Sequence, residues 1–436
     1  MSGGRRFSGA MVLLQLLAAA EPAAAQSLRS RFDDLFIFGD CGVPLCLAGS
    51  IAAGSGHGNH YIPAVNSRSA LVIPALLGDL ASSITTTVSN IPLSIGSGGA
   101  TFSFVEGLPV TTPVSAGPIL GERGQTLGRH RMLVGVTVTG GEFYKLRGVP
   151  LRSAEINFTH QDVGNPGLGD PQFETDIFLV RPDFRFKLLA TAFTGTYGLT
   201  DFLDVGLTVP VIHASLSGQS IARIVCTAPP CFHFFAGDAT NPQLSDTTSL
   251  RASATGLGDV AVRAKLGITR NRRVALALLG ELRLPTGREE DFLGSGEVAF
   301  KLVGVASRTW GTFTSHANAG YFARGGKEEN DAVLATIGFD NLVGQIVTMS
   351  ADLVTQWQVG AQPFNLPGPT HFDLPFAADV PLMNVPDVRD NRIDGSFGLK
   401  FTNRRGLTGV VNAQFPLRSA GLQGSLIWTL GAQYDF

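Results

Sequence analysis

The sequence lacks any long apolar run. Beyond its first 25 residues no segment approaches 18 consecutive apolar residues, so a membrane-spanning helix is excluded. Charge is sparse as well: 16% of the 436 residues are Asp, Glu, Lys or Arg, with a net charge of −2. A chain with no basic excess has no electrostatic footprint for nucleic acid, and no such partner is expected. Cysteine is limited to Cys41/Cys46 and Cys226/Cys231, two close pairs far apart in the chain. That spacing fits zinc poorly, so no metal is expected, and in an oxidising compartment all four are disulfide candidates. Gly-x-Gly runs occur without a following helix, which leaves nucleotide binding and other cofactors unsupported.

Catalytic parts are equally thin. His316 is the one histidine expected at mid-strand inside a wall, and its neighbour Ser315 points to the opposite face. Glu289 and Glu290 fall in an expected loop, where a solvated charge cluster is the plain reading. The chain is not expected to be an enzyme.

What is present is an export signal and a period of two. Arg5 and Arg6, the short apolar run Met11–Ala20 and the small residues Ala23-Ala24-Ala25 read as a signal peptide over residues 1–25. Toward the other end, Leu426, Trp428, Leu430, Ala432, Tyr434 and Phe436 alternate with Ser425, Thr429, Gly431, Gln433 and Asp435, with Ile427 the lapse. Neighbouring strand residues face opposite ways, so such a segment has one apolar and one polar face. The same pattern recurs near 407–417, 393–402, 347–358, 332–340, 312–324, 298–308, 274–286, 257–269, 203–217, 182–198 and 131–146. If Phe436 lies in the periplasm, most turns on that side are short, and the loops 147–181, 218–256, 287–297, 325–331 and 359–392 are long. Short periplasmic turns and long external loops are the asymmetry of outer-membrane barrels.

The expectation is an all-β, transmembrane, antiparallel up-and-down barrel of 12–14 strands. Fourteen is favoured, by adding a hairpin through Ile84–Ile91 and Thr101–Val105. Residues 26–80 are expected to form a plug or a periplasmic segment, with a short helix in Ser69–Leu80 broken by Pro74 and Gly78, and residues 81–436 the barrel. Lumen candidates for substrate binding are Arg185, Lys187, Phe193, Arg263, Lys265, Glu281, Arg283, Lys301, His316, Asn318, Phe322, Arg324, Asp352 and Lys400. Expected partners are outer-membrane lipid and, through Phe436, the barrel-assembly machinery, for a monomer in the bacterial outer membrane.

Three stretches carry a family resemblance: Tyr197–Val211 (YGLTDFLDVGLTVPV), Gly256–Ile268 (GLGDVAVRAKLGI) and Gly280–Gly296 (GELRLPTGREEDFLGSG). Together with Gly117–Gly128 (GPILGERGQTLG), they resemble the outer-membrane "MetA-pathway of phenol degradation" transporter-like family, which is similar to FadL-type barrels. The resemblance spans roughly residues 115–436. It implies a barrel and passive uptake of small hydrophobic or aromatic solutes. The mature end lacks the Asn-Pro-Ala start of FadL-type transporters, which puts a fatty-acid cargo and the same plug mechanism in doubt. The alternative is a non-transporting structural or adhesion barrel whose loops 218–256 and 359–392 bind a partner.

Overall fold

The computed structural model describes residues 26–39, 46–49, 60–61, 68–93, 102–105, 108–111, 115–158, 176–226, 233–238, 240–269, 274–325, 330–360, 369–372, 377–403 and 405–436. The expected signal peptide lies outside them.

The wall consists of β1 (Met132–Phe143), β2 (Ile177–Gly198), β3 (Leu203–Val225), β4 (Val260–Gly267), β5 (Val274–Leu284), β6 (Ala299–Trp310), β7 (Phe313–Arg324), β8 (Asp331–Val343), β9 (Val347–Val359), β10 (Arg392–Thr402), β11 (Leu407–Pro416) and β12 (Ile427–Asp435). Each strand pairs antiparallel with its neighbour in sequence. The ring closes where β12 pairs with β1, Leu430 opposite Val138. Closure leaves no sheet edge to satisfy, which is what allows strands to cross a lipid bilayer. The barrel has 12 strands, the lower end of the expected range. The added hairpin is corrected: Phe102–Val105 pairs only with Leu108–Thr111, apart from the wall, and residues 84–89 are helical.

The outward residues form an apolar belt. Leu276, Leu278, Leu282, Leu302, Val333, Ile337, Leu353, Val411 and Leu430 are all exposed. Aromatic residues bound the belt at both rims. Trp310, Phe313, Phe401, Tyr434 and Phe436 sit at the short-turn end, and Phe300, Tyr321, Trp357, Phe415 and Trp428 at the long-loop end. Ten residues separate Phe300 from Trp310 along β6. At about 3.4 Å per residue and a tilt of about 40° this is about 26 Å, the height of the apolar band of membrane barrels. Ile427, which breaks the alternation of β12, is buried and belongs to an apolar cluster inside.

β2 and β3 are 22 and 23 residues long, whereas the other wall strands have 8 to 13. The surplus rises beyond the belt at the long-loop end. There, a further strand, Ser245–Leu257, pairs with β3 from Val211 to Arg223. It was read as part of a loop, because its run of Ser, Thr and Ala carries little alternation.

The lumen is filled by chain that precedes β1. A short helix α1 (Leu28–Asp33) is capped by Ser27, whose Oγ accepts from Ser30 N. Helix α2 (Arg68–Ser89) runs on through Pro74 and Gly78, which were expected to interrupt it. The local sequence Ile84-Thr-Thr-Thr-Val88 favours strand, but Leu80, Ile84, Val88 and Ile91 recur at helical spacing and are all buried. That stripe packs with Phe32, Leu35 and Phe36 against inward Phe186, Leu188, Ile212 and Leu216 of β2 and β3. Phe32 meets Phe184 edge-on at 5.4 Å and Phe36 at 5.7 Å. Residues 81–131, expected in the wall, thus lie in α2, in the separate hairpin, in the segment before β1 described below and in residues outside the description.

Candidate functional site

The half of the lumen nearest the short turns is crossed by residues 115–131, an extended, glycine-rich segment without helix or strand. It is held by side chains projecting inward from most of the wall. Ala116 N donates to Thr348 Oγ1 (2.9 Å), Glu122 N to Asn318 Oδ1 (2.8 Å), Gly124 N to Ser307 Oγ (3.1 Å) and Leu127 N to Asp204 Oδ2 (2.9 Å). Lys400 Nζ donates to Ala116 O at 3.1 Å, and Asn318 Nδ2 to Glu122 O at 2.9 Å. A buried extended segment cannot satisfy its own backbone, so the wall must supply the partners, and here it does.

At the centre sits a latch. The Arg123 guanidinium, 1% exposed, donates to both carboxylate oxygens of Asp340, which is fully buried, and to Ser115 Oγ and O. Ser115 Oγ in turn donates to Asp340. Beside them His316 Nε2 meets Asp352 Oδ1 at 2.6 Å, and its Nδ1 lies 3.8 Å from Asp340 Oδ1. These two residues sit on β7 and β9, two strands apart. They touch because Gly338 stands between them in the ladder: His316 faces Gly338, and Gly338 faces Asp352. A Cβ at Gly338 would lie 2.5 Å from Asp352 Oδ1 and 2.8 Å from His316 Nε2. From the plug side Gly121 closes over the same pair, with room for no Cβ.

A second cluster lies on β4–β7. Glu122 of the plug pairs with Arg263 (2.6 Å) and Lys265 (3.2 Å). Glu281 pairs with Arg283 (2.9 Å), Lys301 (3.0 Å) and Arg263 (3.5 Å). Between plug and wall, beside Glu122, Asp204 and Lys265, remains a cavity of about 30 Å³, too small for an organic solute.

The structure brings Arg263, Lys265, Glu281, Arg283, Lys301, His316, Asn318, Phe322, Arg324, Asp352 and Lys400 to the inner face. It corrects three candidates. Arg185, Lys187 and Phe193 point outward from β2, Phe193 at 53% exposure, with Arg185 and Lys187 beside Glu142 of β1. The polarity of β2 is inverted at that height: its outward face meets water, while Phe184, Phe186 and Leu188 turn in toward the plug. Cys226 is disulfide-bonded; Cys41 and Cys231 lie outside the described residues, and the strand starting at Cys46 pairs with His233–Phe234 just beyond the second pair. Glu289, read as solvated, pairs with Arg29 of α1 at 2.9 Å, and Asp291 accepts from Leu28 N. Ser115, Glu122, Arg123, Gly338 and Asp340 were not singled out. The only signal for them is Glu122-Arg123, a charge pair in Gly117–Gly128, a glycine-rich stretch with no other charged residue.

Ser115 Oγ is engaged by Asp340 and Arg123, not by His316, and the plug covers both. The arrangement fastens a segment to a wall.

From mid-β3 to just past β9, the wall matches a known family. Residues 208–366 fit the family described as "Putative MetA-pathway of phenol degradation". No curated protein matches the chain. Among solved structures it is similar to an outer-membrane channel from Pseudomonas putida F1, at 12% identity and a TM-score of 0.44, over 72% of this chain and 97% of that one. It is also similar to a Pseudomonas aeruginosa FadL homologue (13%, TM-score 0.32, 79% and 99%) and to the Pseudomonas putida toluene transporter TodX (10%, TM-score 0.32, 78% and 95%). The barrel assignment stands on the strand ladders themselves.

Proposed function

We propose that the chain is a monomeric outer-membrane channel for passive uptake of small hydrophobic or aromatic solutes, closed at rest by its own plug. The observation that carries this reading is the way residues 115–131 are held. A barrel built only as a scaffold has no reason to route a glycine-rich segment through its lumen on ion pairs and single hydrogen bonds, contacts that water or a solute can replace. The family match, with its tie to phenol degradation, supports the cargo class. In this reading the short-turn end and Phe436 face the periplasm, Phe436 is the handle for the assembly machinery, residues 1–25 direct export, and the phenylalanine-lined half is the entrance.

The test is solute entry into proteoliposomes, with phenol and toluene as probes. Wild-type protein is expected to raise entry above empty liposomes, and Arg123→Ala to raise it further. Folded protein that leaves both probes at the empty-liposome rate, in wild type and variant alike, sinks the channel reading.

One observation favours a partner-binding barrel as a second reading. Within loop 218–256, the end of β3 and Ser245–Leu257 form a firm hairpin rising beyond the belt. Removing residues 226–244 would then abolish partner capture and leave permeability unchanged.

A further inference from the structure

The lipid-facing wall carries one cation. Between the two aromatic rims, Arg308 is the only Asp, Glu, Lys or Arg on the outward faces of the wall strands, among the described residues. An ionisable side chain in the membrane is retained where it has a partner to reach. In the ladder Arg308 lies between Val274 and Ser315, with Phe339 beyond Ser315, so no described carboxylate stands beside it. Its guanidinium lies 4.8 Å from the centre of the Trp310 ring, turned toward the short-turn rim. Trp310 is two residues nearer that rim. At about 3.4 Å per residue and a tilt of about 40°, Arg308 sits about 5 Å inside it, and an arginine stem spans that depth to the headgroups.

Beside Arg308 the wall is hollowed. Its outward neighbours shrink to Ala306, Ser315, Ala317 and Ala351, while Val274 and Ile337 stand up on either side. The result is a groove of about 730 Å³, open to the bilayer and lined at one end by Arg308. That volume falls within the about 300–1,000 Å³ of small-molecule pockets. A ledge of rings closes the short-turn end: Phe313 stacks on Phe339 at 5.5 Å and meets Trp310 at 6.1 Å. Ser307, His316 and Asp352 also border the groove, but their side chains turn into the lumen, Ser307 to Gly124 and the other two to each other. The groove is thus apolar along its length and cationic at its rim.

We propose that this groove binds a single phospholipid with a net anionic headgroup, its phosphate on Arg308 and one acyl chain along Ala306 and Ala317. A guanidinium offers phosphate a planar, bidentate fork. A zwitterionic lipid brings an ammonium as well, and no described carboxylate beside Arg308 receives it. A net anionic headgroup leaves no such charge unmatched. The hollow adds contact on both sides of the chain, which a flat wall does not, so this lipid is held where its neighbours in the belt exchange. The site depends on the belt alone and not on solute passage.

The test is native mass spectrometry of the full chain in detergent, titrated with phosphatidylglycerol and with phosphatidylethanolamine of the same acyl chains. Wild type is expected to take up one phosphatidylglycerol about fivefold more tightly than phosphatidylethanolamine, the pull of one arginine on a net anionic lipid. Arg308→Gln is expected to remove that preference. Ala317→Trp, which fills the groove from a lipid-facing position, is expected to weaken binding of both lipids. Neither substitution enters the lumen, and amide protection of β5–β9 shows that each variant has folded. Equal binding of the two lipids by wild type overturns the proposal, as does a preference that survives Arg308→Gln. Binding unchanged by Ala317→Trp overturns it too, because the chain then lies elsewhere. A paired mass in place of a lipid adduct gives the groove to a second copy of the chain and overturns the lipid site.

Discussion

Truncating Arg123 to Ala tests whether the plug is a separable unit. In the folded protein its guanidinium is the nearest counter-charge to Asp340, which is left with the Ser115 hydroxyl, the His316 Nδ1 3.8 Å away and the longer-range charge of Lys400 once Arg123 is gone. Breaking a buried pair by removing one partner costs about 3–5 kcal/mol, because the remaining charge stays dehydrated. Undocking the plug lets water reach Asp340, so this cost falls on the docked state alone. The docked-to-undocked ratio should then drop by about 10²–10⁴-fold, at about 1.4 kcal/mol per decade. Amide exchange reads this directly, since the N–H groups of Glu122, Gly124 and Leu127 are bonded to wall side chains only while the plug is docked. Exchange across 115–131 should accelerate by that factor while β6–β9 stay protected. Replacing both charges by apolar residues, Arg123→Met with Asp340→Leu, should recover most of the protection, since a well-packed apolar pair commonly matches a buried ion pair. Unchanged exchange in 115–131, or plug and wall exchanging faster together, would refute the latch.

The apolar belt predicts that Leu278→Arg, at the middle of β5 and facing out, costs about 2–4 kcal/mol in a bilayer unfolding titration; a loss under about 0.5 kcal/mol would mean that this face does not meet lipid. Gly338→Ala should part His316 from Asp352, because the added carbon falls within 2.8 Å of both, and should speed exchange in 115–131; if the plug stays as well protected as in wild type, the His–Asp pair does not support it. Burial raises the pKa of Asp33 on α1, against an opposing pull from Arg29 and with Asp34 adding to the rise. An acid raised in the folded state favours the docked helix when protonated, so docking of α1 is strongest in acid and weakens as the pH climbs through the raised value. Exchange of residues 26–39 should accelerate from acid toward neutral pH beyond its intrinsic pH dependence, and Asp33→Asn should flatten that excess; the reverse trend refutes the assignment.

The wall was legible because lipid enforces it. Every second residue of a spanning strand must be apolar, and the five short turns at one end leave little freedom for register. All 12 segments expected between 131 and 436 are strands, with shared ends at Leu203, Val274, Arg324, Val347, Leu407 and Thr402. Errors occur where that constraint lapses. Above the belt, β2 has water outside and phenylalanine inside, so Arg185 and Lys187 were assigned to the wrong face. In α2, threonine and isoleucine gave a strand signal that tertiary packing overrode.

The plug was illegible for a different reason. Residues 115–131 have no period, since they follow no repeating structure, and their conformation is imposed by Asp204, Ser307, Asn318, Asp340, Thr348 and Lys400, which are distant in sequence. Each of those polar residues reads, by itself, as an ordinary inward position of a barrel strand. Their common purpose appears only when Gly338 is seen to let His316 reach across a strand, and Gly121 to cover the pair. A glycine in a strand usually weakens it. Here the missing side chain is what lets one strand's histidine serve another strand's aspartate, and what brings the plug's backbone down onto both. A lumen meant only to be filled would be better packed by leucine at both positions. Two glycines facing each other across the buried, hydrogen-bonded His316–Asp352 pair leave the plug held by polar contacts that can be undone without disturbing the wall.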